Sequence, residues 1–218
     1  MRIPNHIGII PDGNRRWAEK NGLSKEQGYG KGLYPGLALY RLCKEIGVKE
    51  ITFYGFTQDN TKRPAIQVQS FQKACVDAVK ILVQEEDANL LVIGNTNSPM
   101  FPKELLPYTE RTRIGEGKIK LNFLVNYGWE WDLSYIIQMV KENTPKAKQI
   151  TKYLFSSDIS RIDLIIRWGG RRRLSGLLPV QSVYADFYVI DDYWPDFKEQ
   201  HFYDALQWYQ QQDITLGG

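Results

Sequence analysis

Six short runs rich in β-branched and aromatic residues punctuate the chain: His6 to Ile10, Glu50 to Phe56, Asn89 to Gly94, Lys118 to Asn126, Asp163 to Arg167 and Ser182 to Ile190. Between them, Gly36 to Ile46, Ala65 to Gln84, Glu104 to Ile114, Glu130 to Glu142 and Lys198 to Gln211 repeat their apolar residues three and four apart, the spacing of a helix face. Strands separated by helices cannot be joined as tight hairpins, and the crossovers require a mostly parallel sheet covered by helices. The pattern therefore predicts an α/β fold with six strands, mainly parallel and surrounded by helices. A single domain over residues 1–218 is long enough to bury its own core. The polar stretch Asn143 to Ser160, with one proline and a short apolar patch at Tyr153 to Phe155, reads as a connection within that domain.

Charge narrows the partners. A formal net charge of +3 falls well short of the basic balance that sequence-independent nucleic-acid binding needs, so no nucleic-acid partner is expected and any phosphate-handling arginines must be local. Cys43 and Cys75 lie in helical segments with no CxxC spacing, which argues against a disulfide framework or a zinc site and fits a reducing cytoplasm. No apolar run approaches the roughly 20 residues of a membrane span, and the first residues lack a signal-peptide core, leaving peripheral association as the available membrane contact. Aromatic residues make up 13% of the chain, which leaves open whether they line an apolar ligand site or serve only core and surface.

Three strands run directly into polar, cationic loops, and ligands of open α/β sheets bind beyond the carboxyl ends of strands. The first loop is Pro11, Asp12, Gly13, Asn14, Arg15, Arg16 and Trp17. Its Gly and its capping residues suit either a plain strand-to-helix turn or an anion cradle, in which Asp12 supplies an oxygen ligand to Mg²⁺. The second runs from Thr57 through Asn60 and Thr61 to Arg63, and the third carries Arg167, Arg171, Arg172 and Arg173 around Gly169 and Gly170. Guanidinium forks match phosphate oxygens, so the third loop reads as a diphosphate clamp or as a solvated basic loop. Three such ends in one sheet favour a shared pocket.

Other patterns fail on physical grounds. Gly30-Lys31-Gly32 lacks the glycine spacing and hydroxyl of a P-loop. Asp191, Asp192 and Asp196 imitate an aspartate-rich metal box, but Trp194 and Pro195 break the helix that would align them. His6 and His201 have no nearby Ser, Cys or second His and read as structural.

The segments HIGIIPDGNRRWAEKNGL, ITFYGFTQDNTKRP, LNFLVNYGWEWDL, IDLIIRWGGRRRLS and QSVYADFYVIDDYWPDF, in this order, resemble the cis-prenyltransferases, typified by undecaprenyl diphosphate synthases. The resemblance implies a hydrophobic tunnel beside the sheet, usually in a homodimer, with a heteromeric pair as the alternative. It implies prenyl diphosphate substrates and an Mg²⁺-assisted condensation of an allylic diphosphate with isopentenyl diphosphate that releases pyrophosphate and sets a cis double bond. Asp12 and Asn60 match catalytic positions. Gly13, Asn14, Arg15, Arg16, Trp17, Lys25, Tyr29, Thr57, Thr61 and Arg63 stand at positions around the allylic diphosphate or the reacting carbons, Arg15, Lys25, Tyr29 and Thr61 in place of the family's usual residues. Arg167, Arg171, Arg173 and Ser175 fall at the isopentenyl diphosphate site, and Asp186 stands where the family carries a Glu ligand for Mg²⁺, beside Asp12 as metal residue. An amide is a poor base, so Asn60 is read as orienting, with pyrophosphate the better proton acceptor.

Departures from the family pattern include Pro11, Arg15, Lys25, Tyr29, Thr61 and Arg171 at positions usually held by other residues. Thr215, Leu216 and Gly217 stand at a C-terminal arginine-x-glycine motif, and Arg171 or Arg172 is a candidate for the missing charge. The PDG-Arg-Arg-Trp run and Pro179 resemble the irregular, lavandulyl-type branch, whereas NYGW, FTQDN and KRP resemble regular chain elongators. A short- or medium-chain condensing enzyme is the leading expectation. Head-to-middle coupling of allylic units, terpene synthesis or transfer to another acceptor, and service as the catalytic half of a heteromer are the alternatives.

Overall fold

The computed structural model describes residues 2–140 and 147–213. The strands are β1 His6–Ile10, β2 Glu50–Tyr54, β3 Asp87–Ile93, β4 Thr112–Gly115, β5 Ile119–Leu124, β6 Leu164–Arg167 and β7 Asp186–Val189. They form one sheet in the order β4-β3-β5-β2-β1-β6-β7, parallel except for β4, which pairs antiparallel with β3. β1, β2 and β6 are buried along their whole length, as strands covered on both faces must be, which is why they read as nearly unbroken apolar runs.

The helices are α1 Asn14–Lys20, the single turn α2 Gln27–Gly30, α3 Leu33–Glu45, α4 Ala65–Val83, α5 Trp129–Val140 and α6 Glu199–Gln210. Alternation along the strands divides the core in two. Ile7, Ile9, Ile51, Phe53, Phe123 and Ile166 face Leu39 of α3, Val79 of α4 and Phe202 of α6. On the other face Ile10, Tyr54, Leu124 and Ile165 meet Tyr127, Ile162 and Leu177. Polar residues inside the sheet are paired. Asn122 donates to Glu50 at 2.8 Å and to Thr52 at 2.9 Å, and His6 Nε2 lies 2.8 Å from Thr52 Oγ1. His6 is thus a buried structural residue, with burial holding its pKa below the ordinary value.

The sheet has seven strands rather than six. The added strand, β4, lies in Glu104 to Ile114 and its surroundings, a segment whose apolar spacing predicts a helix. Pro107 cannot donate to an i→i−4 ladder, so only a 3-10 turn forms over Lys103–Tyr108, and the chain then reverses against β3. The strand expected over Ser182 to Ile190 is confined to β7, with Ser182 and Ala185 in turns before it. Thr215 to Gly217 lie outside the described residues.

This order places a switch point between two neighbours. From β1 the chain leaves toward β2 on one side, and from β6 it leaves toward β7 on the other, so a crevice opens where the loops after β1 and β6 part. Asp12 follows the first strand and Arg167 ends the second.

Candidate active site

At that crevice Arg167 Nη2 donates to Asp12 Oδ2 at 2.7 Å, and Arg16 Nη2 stands 3.3 Å from Asp12 Oδ1. Burial alone would raise the Asp12 carboxyl. The hydrogen bond and charge of Arg167, the charge of Arg16 and the N–H of Gly13 outweigh it and hold the group below its ordinary value, so it is ionised. Gly13 turns the chain here at φ 108°, a conformation that favours glycine, and a Cβ would come within 2.8 Å of the Tyr193 ring.

A cleft of about 920 Å³ surrounds this pair. Of the expected residues, Asp12, Gly13, Asn14, Arg15, Arg16, Lys25, Tyr29, Thr57, Asn60, Arg63, Arg167, Arg171, Arg173 and Ser175 line it. Eight cationic side chains face four carboxylates there. Asp12 takes Arg16 and Arg167, Glu19 takes Lys25 at 3.0 Å, and Asp59 takes Lys62 at 2.6 Å. Arg15, Arg63, Arg171 and Arg173 are left with no carboxylate partner among the described residues. A cleft with this surplus is built for polyanions.

The arginine loop is held from several directions. Arg167, only 3% exposed, donates through Nη1 to Ser175 Oγ at 2.9 Å and to the Arg173 carbonyl. Ser175 sits at φ 53°, and its carbonyl accepts from Tyr54 at 2.6 Å. The N–H groups of Gly169 and Gly170 are taken by the carbonyls of Asp192 and Ile190. Side chains, not these two backbone donors, are therefore what the loop offers an anion.

Asn60 caps its own turn. Its Oδ1 accepts from the Thr57 N–H at 3.0 Å, which leaves this oxygen engaged as a structural acceptor.

Three expected residues are elsewhere. Trp17 Nε1 donates to Asp196 at 2.7 Å, and Thr61 Oγ1 donates to the Gln58 carbonyl at 2.7 Å; neither lines the cleft. Asp186 opens β7 opposite Leu164, level with Ile7 of β1, with Arg2 Nη2 4.0 Å away. Five residues of extended chain, roughly 16 Å, separate that level from Asp12, so within one chain the two cannot share an ion. Their pairing as metal residues comes from the resemblance alone, in which a Glu stands at the Asp186 position.

Residues not anticipated individually come from the end of β5. Tyr127, Trp129 and Glu130 line the cleft together with Tyr54 and Phe71. Tyr127 stands edge-on to Tyr54 at 6.3 Å and donates at 2.8 Å to the buried Asp132, which also accepts from Ser156 Oγ at 2.6 Å and from its N–H at 2.9 Å. The NYGW segment carried the signal for these residues.

Behind the cleft, between α3, α4 and the sheet, lies an apolar slot of about 70 Å³. It is much smaller than a tunnel for a long chain; Tyr29, Phe53, Phe71, Phe123 and Trp194 line it, while other aromatics pack elsewhere, as Tyr188 does against Trp208 at 5.3 Å.

The family described as "Putative undecaprenyl diphosphate synthase" matches residues 10–217. An isoprenyl transferase of Bacillus subtilis is 34% identical over 232 residues, covering 99% of this chain and 88% of the relative. A ditrans,polycis-undecaprenyl-diphosphate synthase of Vibrio vulnificus, named as specific for (2E,6E)-farnesyl diphosphate, is 29% identical over 99% of this chain and 91% of its own. The fold matches the crystal structure of lavandulyl diphosphate synthase from Lavandula x intermedia, solved with dimethylallyl diphosphate. Its TM-score is 0.87 at 23% identity, over 99% of this chain and 98% of that one. An α/β sheet with a cationic cleft at its switch point and matches of this extent make the protein a prenyltransferase. Within that class the chain belongs to the undecaprenyl diphosphate synthase family.

Proposed function

We propose that the protein condenses an allylic prenyl diphosphate with isopentenyl diphosphate in a cis-type reaction, giving a short- or medium-chain prenyl diphosphate and pyrophosphate. The observation that carries this is the surplus of four arginines in the Asp12 cleft with no carboxylate partner among the described residues, with an apolar slot sharing lining residues with the same cleft. Arg15 and Arg63 stand on the β1–α4 side and Arg171 and Arg173 on the β6 side, which suits two separate diphosphates. In the reaction the allylic C–O bond breaks and its electron pair leaves with pyrophosphate. C4 of isopentenyl diphosphate forms the new C–C bond, and a proton leaves C2 of that unit.

The arginines bind both diphosphates and stabilise the charge that develops on the leaving one. Asn60, with its Oδ1 occupied at the Thr57 N–H, positions the loop, and a pyrophosphate oxygen takes the proton.

An Mg²⁺ ion fits at Asp12, an ionised carboxylate whose side chain is 31% exposed. Among the described residues no group of three or more His, Cys, Asp or Glu could hold a metal, and Mg²⁺ commonly takes one or two carboxylates plus substrate phosphates. When bound it supplies Lewis-acid help to the departing diphosphate. The same reading takes the chain as a cytoplasmic homodimer. No helix among the described residues is long and apolar enough to cross a membrane.

The test is a matrix of labelled dimethylallyl, geranyl and farnesyl diphosphates with and without isopentenyl diphosphate, with products read by mass spectrometry. A chain-extended product that disappears on chelation is expected. No turnover with any pairing refutes the reading. Pyrophosphate release from a lone allylic diphosphate, or a branched product, replaces it with terpene synthesis or head-to-middle coupling.

A further inference from the structure

The cleft and the apolar slot meet at Pro11, Asn14, Gly55 and one pair of rings. Tyr29, on the α2 turn, and Phe71, on α4, line both spaces and stack face to face with centroids 4.5 Å apart and planes 4° apart. Each ring is held from behind. Gly28 is pressed so closely to α1 that a Cβ would fall 2.2 Å from the Asn14 carbonyl oxygen, which fixes the neighbouring Tyr29. Phe71 is braced edge-on by the fully buried Phe56 at 5.5 Å. Arg63 closes the arrangement, with Nη1 donating to the Tyr29 hydroxyl at 2.9 Å and its guanidinium 5.7 Å from the Phe71 ring centre. The charge that faces a diphosphate thus also latches the rings through which an apolar tail must pass.

Beyond the rings, the slot's width comes from small residues, Gly36 on α3 with Ala74 and Ala78 on α4, and the stacked Phe53 and Phe123 floor it. One water-sized group needs at least about 10–15 Å³ of such space, so a slot of about 70 Å³ holds only a few, which suits a single isoprenoid unit and not a longer tail.

Resting on the prenyl-transfer reading, we propose that the Tyr29–Phe71 stack is the length-limiting element of the site and that the preferred allylic substrate is the one with a single isoprenoid unit, dimethylallyl diphosphate. A tail of one unit fills the slot, and a longer one has to displace Phe71, braced by Phe56, or Tyr29, latched by Arg63, to extend further. This sets the protein apart from the relative named as farnesyl diphosphate specific.

The experiment measures binding by calorimetry without isopentenyl diphosphate, so that it does not depend on turnover, using dimethylallyl, geranyl and farnesyl diphosphates. The wild-type protein is expected to bind dimethylallyl diphosphate at least about tenfold more tightly than farnesyl diphosphate. Phe71→Ala opens the slot and should abolish or reverse that order. Tyr29→Phe keeps the ring and loses only the Arg63 bond, and should weaken the preference by less than Phe71→Ala does.

Equal or tighter binding of farnesyl diphosphate by the wild-type protein overturns the proposal. So does an unchanged order in a folded Phe71→Ala, or a Tyr29→Phe that shifts the order as far as Phe71→Ala does. If Phe71→Ala does not fold, Phe71→Leu and the wild-type series still decide. The two readings fail separately: absence of turnover with every pairing removes condensation, whereas turnover with a preference for farnesyl diphosphate removes only the length limit.

Discussion

Replacing Asp12 by Asn keeps the side-chain shape and one acceptor oxygen but removes the charge between Arg16 and Arg167. Stripping the partner from a fully buried ion costs about 3–5 kcal/mol, whereas an exposed pair contributes about 0–1 kcal/mol. Here the Arg167 side chain is 4% exposed and that of Asp12 is 31% exposed, an intermediate case in which water screens one end. A loss of about 1–2 kcal/mol follows, which in a chain of this size lowers Tm by about 2–8 °C.

The pH dependence identifies the source. The Asp12 carboxyl lies below its ordinary value in the folded state, so its stabilisation is fully present above about pH 4 and is lost as the pH falls through the lower, folded value. Thermal and urea unfolding of both proteins from pH 7 down to pH 3 is the assay. The gap between them should be widest near neutrality and narrow on acidification. An Asp12→Asn protein as stable as the wild type at pH 7, or a gap that does not shrink in acid, refutes the account of Asp12 as the counter-charge of Arg167.

Two further substitutions probe the loops. Gly13→Ala forces a side chain into φ 108° and to within 2.8 Å of the Tyr193 ring; together the strain and overpacking should cost about 2–4 kcal/mol, read as a lower urea midpoint with an unchanged slope. Arg171→Ala removes an unpaired cation from the cleft and should raise the KM for isopentenyl diphosphate by about 5–30-fold with a smaller change in kcat, and an unchanged KM would count against a role for Arg171 in holding the second diphosphate.

The parallel sheet was legible because strands buried on both faces read as unbroken apolar runs, and α4 was placed over Ala65–Val83 almost to the residue. What escaped depended on information that local pattern does not carry. The apolar spacing of Glu104 to Ile114 conceals the break at Pro107 and the strand after it. Trp17 and Thr61 neighbour cleft residues in sequence but point away, since successive side chains on a turn or helix diverge. Asp186 was assigned from the resemblance alone, and nothing in local pattern shows that it lies level with Ile7, while Tyr127 and Trp129 enter the cleft because β5 lies next to β2, a neighbour relation set by topology.

The bonds from Gly169 to Asp192 and from Gly170 to Ile190 bear on how a ligand would be greeted. A floppy basic loop would have to surrender backbone freedom as it wrapped a diphosphate, at about 1–2 kcal/mol for each residue fixed. Here the tether has already removed that freedom at Gly169 and Gly170, so the cost that remains falls on Arg171 to Leu174 and on the side chains of Arg171 and Arg173, the latter at about 0.5–1.5 kcal/mol apiece. Capture at this end of the cleft thus starts from a base anchored at the glycine pair, with the ordering confined to the few arginine-bearing residues beyond it.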